Sequence, residues 1–284
     1  MRTSADSNFG LRPPLVLGAT GKTGRRVVAQ LEARGVKPRL GSRRATLPFD
    51  WEDCSTWEAP LEGVGAVYLA LASELAGPGS AERIEKFARF ASSHGVERVV
   101  LICGRGEEDA LEWEATIAEY FGRWTVVRAS WFNQNFSEGI FLNMVRRGYI
   151  ELPAGAVPEP FVDVEDIAAV ATAALLGDGH DQQIYEVTGP RLLTFADIAL
   201  ELTRCMGRTI EFRDVPLDLY CERFADSGAV PEEVAVMRHL FGTVLDGRNA
   251  HLGDGVERAL GRVPRDFSQF ARDVAAGPEW RVSA

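Results

Sequence analysis

The sequence predicts an α/β fold: a doubly wound parallel sheet with a smaller, mainly helical lobe. Three observations carry that prediction. Short apolar runs alternate with amphipathic helical stretches through the first half of the chain. A glycine-rich turn joins the first apolar run to the first helix. From Thr194 onward, helical patterns dominate.

Taken in order, residues 14–17 read as a buried strand, and residues 25–34 as a helix with Val27, Val28 and Leu31 on one face. Residues 38–42 form a second strand, residues 47–49 a short third and residues 65–71 a fourth. Residues 80–94 are helical, with Ile84, Phe87, Ala88 and Ala91 on the inward face. Residues 96–103 form a fifth strand, apolar throughout Val99, Val100, Leu101 and Ile102, as a parallel sheet covered on both faces requires. A helix over 107–121 and a sixth strand over 124–127 complete this βαβ rhythm.

Asp163 is placed to cap a helix running to about Leu176, with Asp166 at its third helical position. Residues 183–187 return as an edge strand, and helices follow over 195–206, 217–225, 231–245 and 267–275. The expected organisation is a nucleotide-binding domain over 14–150, to which 161–190 returns. A lobe over 191–284, with parts of 129–160, is expected to share a cleft with it, and residues 1–13 read as a flexible leader.

At 284 residues and 46% hydrophobic content the chain can bury a large core. A net charge of −10 argues against a nucleic-acid surface, whose affinity rests on neutralising phosphates. Local basic pairs remain at Arg25-Arg26, Arg43-Arg44 and Arg146-Arg147. No apolar run reaches membrane-spanning length, and the polar N-terminus lacks the apolar centre of a secretory signal, so a cytoplasmic protein is expected. Cys54, Cys103, Cys205 and Cys221 are widely spaced and read as buried thiols. The four histidines form no metal-ligand pair, so no metal site is expected.

The turn Gly18-Ala19-Thr20-Gly21-Lys22-Thr23-Gly24 sits between strand and helix. There, backbone N–H groups and the positive helix end suit a pyrophosphate; a merely structural turn is the alternative. A P-loop would need glycine where Val16 stands, so the NTPase reading fails. In a dinucleotide-binding, Rossmann-type sheet, the end of the second strand faces the adenosine ribose. Here it carries Ser42-Arg43-Arg44 and no carboxylate, and a guanidinium suits a 2′-phosphate, so NADP(H) is favoured over NAD(H). A solvated strand end is the alternative. Asp50 is a candidate acceptor for the adenine amino group, with a surface loop as the equal alternative.

Many short-chain reductases protonate the new alkoxide with a tyrosine whose pKa is lowered by a lysine four residues later. Four residues beyond Tyr68, Tyr120, Tyr149, Tyr185 and Tyr220 stand Ala72, Trp124, Pro153, Gly189 and Phe224. The lysines are Lys22, Lys37 and Lys86, all ahead of the expected catalytic region. Alcohol–ketone chemistry by that dyad is excluded, and no catalytic residue is assigned. Hydride transfer to an already electrophilic carbon needs no enzymic acid at that step; proximity and orientation then supply the protein's share.

Three segments in order resemble the NmrA-like atypical short-chain dehydrogenases. They are the turn GATGKTGRRV, the segment Arg128-Ala129-Ser130-Trp131-Phe132-Asn133-Gln134-Asn135-Phe136, and Phe161-Val162-Asp163-Val164-Glu165-Asp166-Ile167-Ala168. Gly41-Ser42-Arg43 and Phe49-Asp50-Trp51 resemble the branch related to ergot-alkaloid reductases. The resemblance implies an NADP(H)-binding fold, often with reductase activity. Carried over by position, it sets Gly18, Thr20, Gly21, Lys22, Thr23 and Gly24 around the pyrophosphate, with Ser42 and Arg43 at the 2′-phosphate. Leu71, Ala72 and Ser73 after the fourth strand, and Cys103 and Gly104 at the fifth, line the nicotinamide side. Cys103 stands where many relatives have a small polar residue.

Trp131, Phe132, Asn133, Asn135 and Phe136 follow the sixth strand and are candidate substrate contacts, aromatic walls with amide groups that suit a flat ligand. Their alternative is packing at the lobe junction, and Asp163 reads as a helix cap before a catalytic base. The expected function is an NADPH-dependent reductase of an activated aromatic, quinonoid or iminium-like small molecule. The alternative is a non-catalytic NADP(H)-sensing regulator of the NmrA type. The expected state is monomer or homodimer, without nucleic-acid or membrane partners.

Overall fold

The computed structural model describes residues 12–70 and 79–280. The chain order begins with β1 (Leu15–Leu17), α1 (Gly24–Glu32), β2 (Arg39–Gly41), α2 (Glu58–Leu61) and β3 (Ala66–Ala70). Next come α3 (Ser80–Ser93), β4 (Arg98–Gly104), α4 (Asp109–Tyr120), β5 (Arg123–Ala129), α5 (Leu142–Arg147) and β6 (Tyr149–Leu152). After them follow α6 (Val164–Leu176), β7 (Gln183–Val187), α7 (Phe195–Met206), β8 (Glu211–Asp214) and α8 (Leu217–Asp226). The last helices are α9 (Pro231–His239), α10 (Gly255–Leu260) and α11 (Phe267–Ala275).

Two compact units share the chain. The first comprises residues up to Ala129 with Val164–Val187 and Asp254–Arg262. It holds a six-stranded sheet of order β2-β1-β3-β4-β5-β7, and every pairing is parallel. The order reverses at β1, with β2 on one side and β3 on the other, which is the doubly wound topology. Leu15, Leu17, Val67, Leu69, Val99 and Leu101 pack under Ile84, Phe87, Ala88 and Ala91 of α3 and Ile117 of α4. The other layer is α1 against α6, with α6 lying on β3, β4 and β5. Both faces are covered, which explains the unbroken apolar run in β4.

One expected strand is absent. Residues 47–49 form a loop, because Pro48 offers no N–H to a ladder and Phe49 N–H instead donates to Ser42 O at 3.1 Å. Phe49 is buried against Trp57, ring centroids 5.9 Å apart.

The second unit comprises Ser130–Asp163, Thr188–Gly253 and the residues from Val263. Residues 130–150 therefore cluster here and not with the sheet. Its core is aromatic: Phe136, Phe141, Phe161, Phe195, Phe241 and Phe267 are all buried. α7 opens with a capping box in which Thr194 and Asp197 bond each other's backbone, and it stops at Gly207. The helical lobe also contains a two-stranded parallel sheet, β6 with β8, which the helical patterns did not reveal. The helix expected over 231–245 stops at His239 and continues as one π-helical turn, Leu240–Val244.

Of the thiols, Cys103 and Cys221 are buried, but Cys54 is exposed and Cys205 half-buried. Among the described residues, no helix is long and apolar enough to cross a membrane.

Candidate functional site

Parallel strands all end on one edge of their sheet, so the loops after β1, β2, β4, β5 and β7 share it. In doubly wound sheets this edge binds ligands. The glycine turn lies there. Gly18 has φ +68°, a conformation that L side chains rarely adopt. A Cβ on Gly24 would collide with the Gly18 carbonyl, and the Gly21 N–H closes the turn on Gly18 O at 2.9 Å. The helix thus starts directly against the strand end, with its positive end at that edge; the Arg25 N–H donates to Gly21 O at 3.1 Å and the Arg26 N–H to Thr23 O at 3.0 Å.

Cations surround that turn. Lys22 is half-buried, and burial, then the charges of Arg25 and Arg26, hold its ammonium below the usual value. Arg26 donates to Glu165 Oε1 at 2.8 Å and to the Lys22 carbonyl at 2.9 Å. Thr20 is exposed and Thr23 buried. Below it, Tyr68 on β3 is fully buried; burial pushes its phenol up, countered in part by neighbouring Thr23.

Ser42 and Arg43 follow β2, where Leu17 pairs with Gly41, so Arg43 stands on the same edge as the glycine turn, exposed. Ser42 O accepts the N–H groups of Ala45 and Phe49, both at 3.1 Å, which fixes this loop. The Asp50 carboxylate accepts the Glu52 N–H at 3.1 Å, and its carbonyl accepts from Trp57 Nε1 at 2.6 Å. Those bonds are the local ones of a surface loop. Leu71, Ala72 and Ser73 lie outside the described residues.

Beyond β4 the edge is differently made. Cys103 donates to Glu114 Oε1 at 3.5 Å, and burial, then Glu114, pushes the thiol well up, so it stays neutral. Arg128 grips Glu114 with two bonds, 2.7 and 2.6 Å, and Arg105 donates to Glu186 at 3.1 Å. Gly104 admits the Glu107 carboxylate where a Cβ would stand. The sequence reading missed this network. Its signals were present: Glu114 falls on the buried face of α4 with Ala110, Trp113 and Ile117, and Arg128 interrupts an apolar strand.

The segment after β5 belongs to the second unit. Trp131 O accepts the Val162 N–H, and the Asn133 N–H donates to Val162 O, both at 2.8 Å. Trp131 is half-buried and packs on Phe141, Phe195 and Phe241; Phe132 and Asn135 are half-buried too. Of the expected substrate contacts, Asn133 is fully buried, and so is Phe136. It is 0% exposed, lies among Phe141, Phe161, Phe195 and Phe267, and its carbonyl accepts from Trp280 at 2.8 Å. It is a core residue, because the aromatic cluster leaves no face for a ligand. Asp163 is buried, accepts Gln134 Nε2 at 2.7 Å and pairs with Arg265 at 3.0 Å, which suits a positioning role better than a base.

Tyr120 contacts Glu85 and Arg89, Tyr185 meets His180 at 2.9 Å, and Tyr149 lies under Arg213. Burial pushes the Tyr220 phenol up to about 12.

No family model matches the chain. Among curated proteins, it is 26% identical over 278 residues to prestalk A differentiation protein A of Dictyostelium discoideum, covering 92% of this chain and 91% of that one. It is 30% identical over 284 residues to agroclavine dehydrogenase of Claviceps fusiformis, covering 91% and 96%. Among solved structures, an NADPH-dependent quinone oxidoreductase from Escherichia coli complexed with NADPH matches with TM-score 0.74 and 19% identity, over 92% of this chain and 99% of that one. The negative transcriptional regulator NmrA in complex with NADP matches with TM-score 0.68 and 13% identity, over 95% and 97%. These two structures share the fold, and the agroclavine dehydrogenase match extends over nearly the whole sequence. The chain belongs to the NmrA-like atypical short-chain dehydrogenase/reductase family of NAD(P)H-dependent oxidoreductases.

Proposed function

We propose that the protein is an NADP(H)-dependent reductase of a flat, activated small molecule of aromatic, quinonoid or iminium-like type. The observation that carries the reading is the cradle at the end of β1. Gly18 and Gly24 clear the backbone of side chains there, while Lys22, Arg25 and Arg26 crowd positive charge around it. Such a place fits a pyrophosphate, which would meet the positive end of the helix and relieve the repulsion on Lys22. Arg43 suits the 2′-phosphate by paired hydrogen bonds. When bound, NADPH supplies the hydride; the chain's own residues bind and orient.

The substrate class rests on two features. The sequence has no tyrosine followed by lysine at the dyad spacing. Trp131 and Phe132 are only half-buried, and aromatic rings stack on flat conjugated molecules. An acceptor whose carbon is already electrophilic needs no acid from the protein during transfer. Replacing Arg43 by Ala tests the cofactor assignment: NADPH should bind about 10- to 100-fold more weakly, roughly 1.4–2.7 kcal/mol, with NADH unchanged. Equal loss of both would remove Arg43 from the site. Oxidation of NADPH in the presence of quinone, iminium and dye acceptors tests turnover.

A second reading, a regulator that senses the NADP⁺/NADPH ratio without turnover, draws on the likeness to the negative transcriptional regulator NmrA. A partner protein whose association changes between NADP⁺ and NADPH would favour it, and indifference to cofactor would sink it.

A further inference from the structure

Asn133 is 0% exposed, and among the described residues neither its Nδ2 nor its Oδ1 has a hydrogen-bond partner. The polar groups beside it are spent: its own N–H on Val162 O, and the Gln134 amide on Asp163. A carboxamide presents donor and acceptor in one plane. Buried unpaired, it gives up its hydration and gains nothing, where leucine would fill the same space without that loss. Both ends being open at once is the informative part. A buried group in that state calls for a partner from outside the chain.

We propose that the Asn133 carboxamide reads a lactam-type edge, an N–H beside a C=O on a planar ring, carried by the substrate. Two antiparallel hydrogen bonds then satisfy both ends, as when asparagine reads the donor–acceptor edge of adenine. A simple quinone carbonyl would engage Nδ2 and leave Oδ1 unpaired. An iminium ion without an N–H would leave the amide as it found it. A ring with donor and acceptor adjacent answers both, and the half-buried Trp131 and Phe132, two and one residues before, are the aromatic residues to flank it. Because Asn133 has no exposed surface, the edge reaches it only after a local opening, so association should be gated and slower than diffusion. The inference rests on the reductase reading and narrows its substrate class.

The probes are isatin, a flat ring with a lactam N–H beside a C=O, and N-methylisatin, which lacks the donor. Each is titrated calorimetrically into the NADP⁺-loaded protein. Isatin should bind at least about tenfold more tightly, because a site built for a donor rejects the analogue without it. Asn133→Leu should lower isatin to the N-methylisatin level and leave N-methylisatin within about twofold. Equal affinities in the unaltered protein, no binding of either probe, or a preference that survives Asn133→Leu would each overturn the proposal. So would a more heat-stable Asn133→Leu protein with both affinities unchanged, since the amide would then hold only water. If that variant fails to fold, the two probes on the unaltered protein decide alone. NADPH oxidation with 1,4-naphthoquinone, which has no N–H, is the separate arm. Turnover there without discrimination between the isatins removes the lactam contact and spares the reductase; discrimination without any NADPH oxidation does the reverse.

Discussion

Two stretches of one sheet edge treat charge in opposite ways. At the ends of β1 and β2 the chain gathers Lys22, Arg25, Arg26, Arg43 and Arg44, with Glu165 set against Arg26. At the ends of β4, β5 and β7, Arg105 and Arg128 meet Glu114 and Glu186 in ion pairs of 2.6–3.9 Å. The first stretch carries surplus positive charge beside a helix N-terminus, so it favours an anion. The second pairs its arginines with carboxylates inside the fold. A phosphate-bearing cofactor suits the first of those environments, and one sheet edge carries both.

The sharpest way to break the contrast is at the cradle. Gly24→Val would drive a side chain into the Gly18 carbonyl, so the turn must shift and its N–H groups lose their aim. NADPH affinity should fall more than about 100-fold, over roughly 2.7 kcal/mol, in a fluorescence titration. Gly35→Ala is the control: its φ is positive, +76°, and nothing lies within 4 Å of an added Cβ. It should cost about 1 kcal/mol of stability and leave NADPH binding intact. If both variants bind NADPH normally, the turn is only structural.

At the other stretch the expected effect is on stability and not on the cofactor. Glu114→Ala leaves Arg128 without its bidentate partner, and breaking a buried pair from one side costs about 3–5 kcal/mol. Arg128 keeps a quarter of its side chain exposed, which puts the loss near the lower bound, about 3 kcal/mol by denaturant titration. The double change Glu114→Leu with Arg128→Leu should recover most of it, because neither charge is then stranded. A Glu114→Ala protein as stable as the unaltered one would mean the pair is solvated and the contrast in charge pairing fails.

What the sequence disclosed follows the same division. The turn, β1 to β5 and the helices α1, α3, α4 and α6 were legible because period and spacing are local: Ile84, Phe87, Ala88 and Ala91 announce α3 without reference to anything else. The loop at 47–49 was misread because three apolar or β-compatible residues outweighed Pro48, whose missing N–H decides the matter. β6 and β8 were not legible, since each is four residues long and pairs with a strand about 60 residues away. Phe136 shows the limit for sites. An aromatic residue in a motif looks identical in sequence whether it walls a pocket or fills a core, and only the surrounding phenylalanines separate the two. Glu114 was hidden for the converse reason, a charge on a helix whose partner lies on a different strand.

The smallest expected effect is the most discriminating, because it changes sign between two measurements. Lys22 has its pKa held below the usual lysine value of 10.5, first by burial and then by Arg25 and Arg26. In the alkaline range between that lowered value and 10.5, the unfolded chain binds more protons at Lys22 than the folded one. The Lys22 contribution to stability therefore rises with pH through that range. Phosphate binding has the opposite slope, since it needs the charge that the folded protein gives up there. Lys22→Met should remove both slopes together. In the cofactor-free protein near neutral pH it should raise stability slightly, by less than about 1 kcal/mol, because Lys22 is only half-buried and solvent screens the repulsion. In NADPH titrations it should weaken binding about tenfold, roughly 1.4 kcal/mol. A lysine kept for packing would lower stability when replaced and leave NADPH unmoved. A gain in one measurement with a loss in the other would mark a charge held at a cost in the free protein because an anion is to occupy the turn.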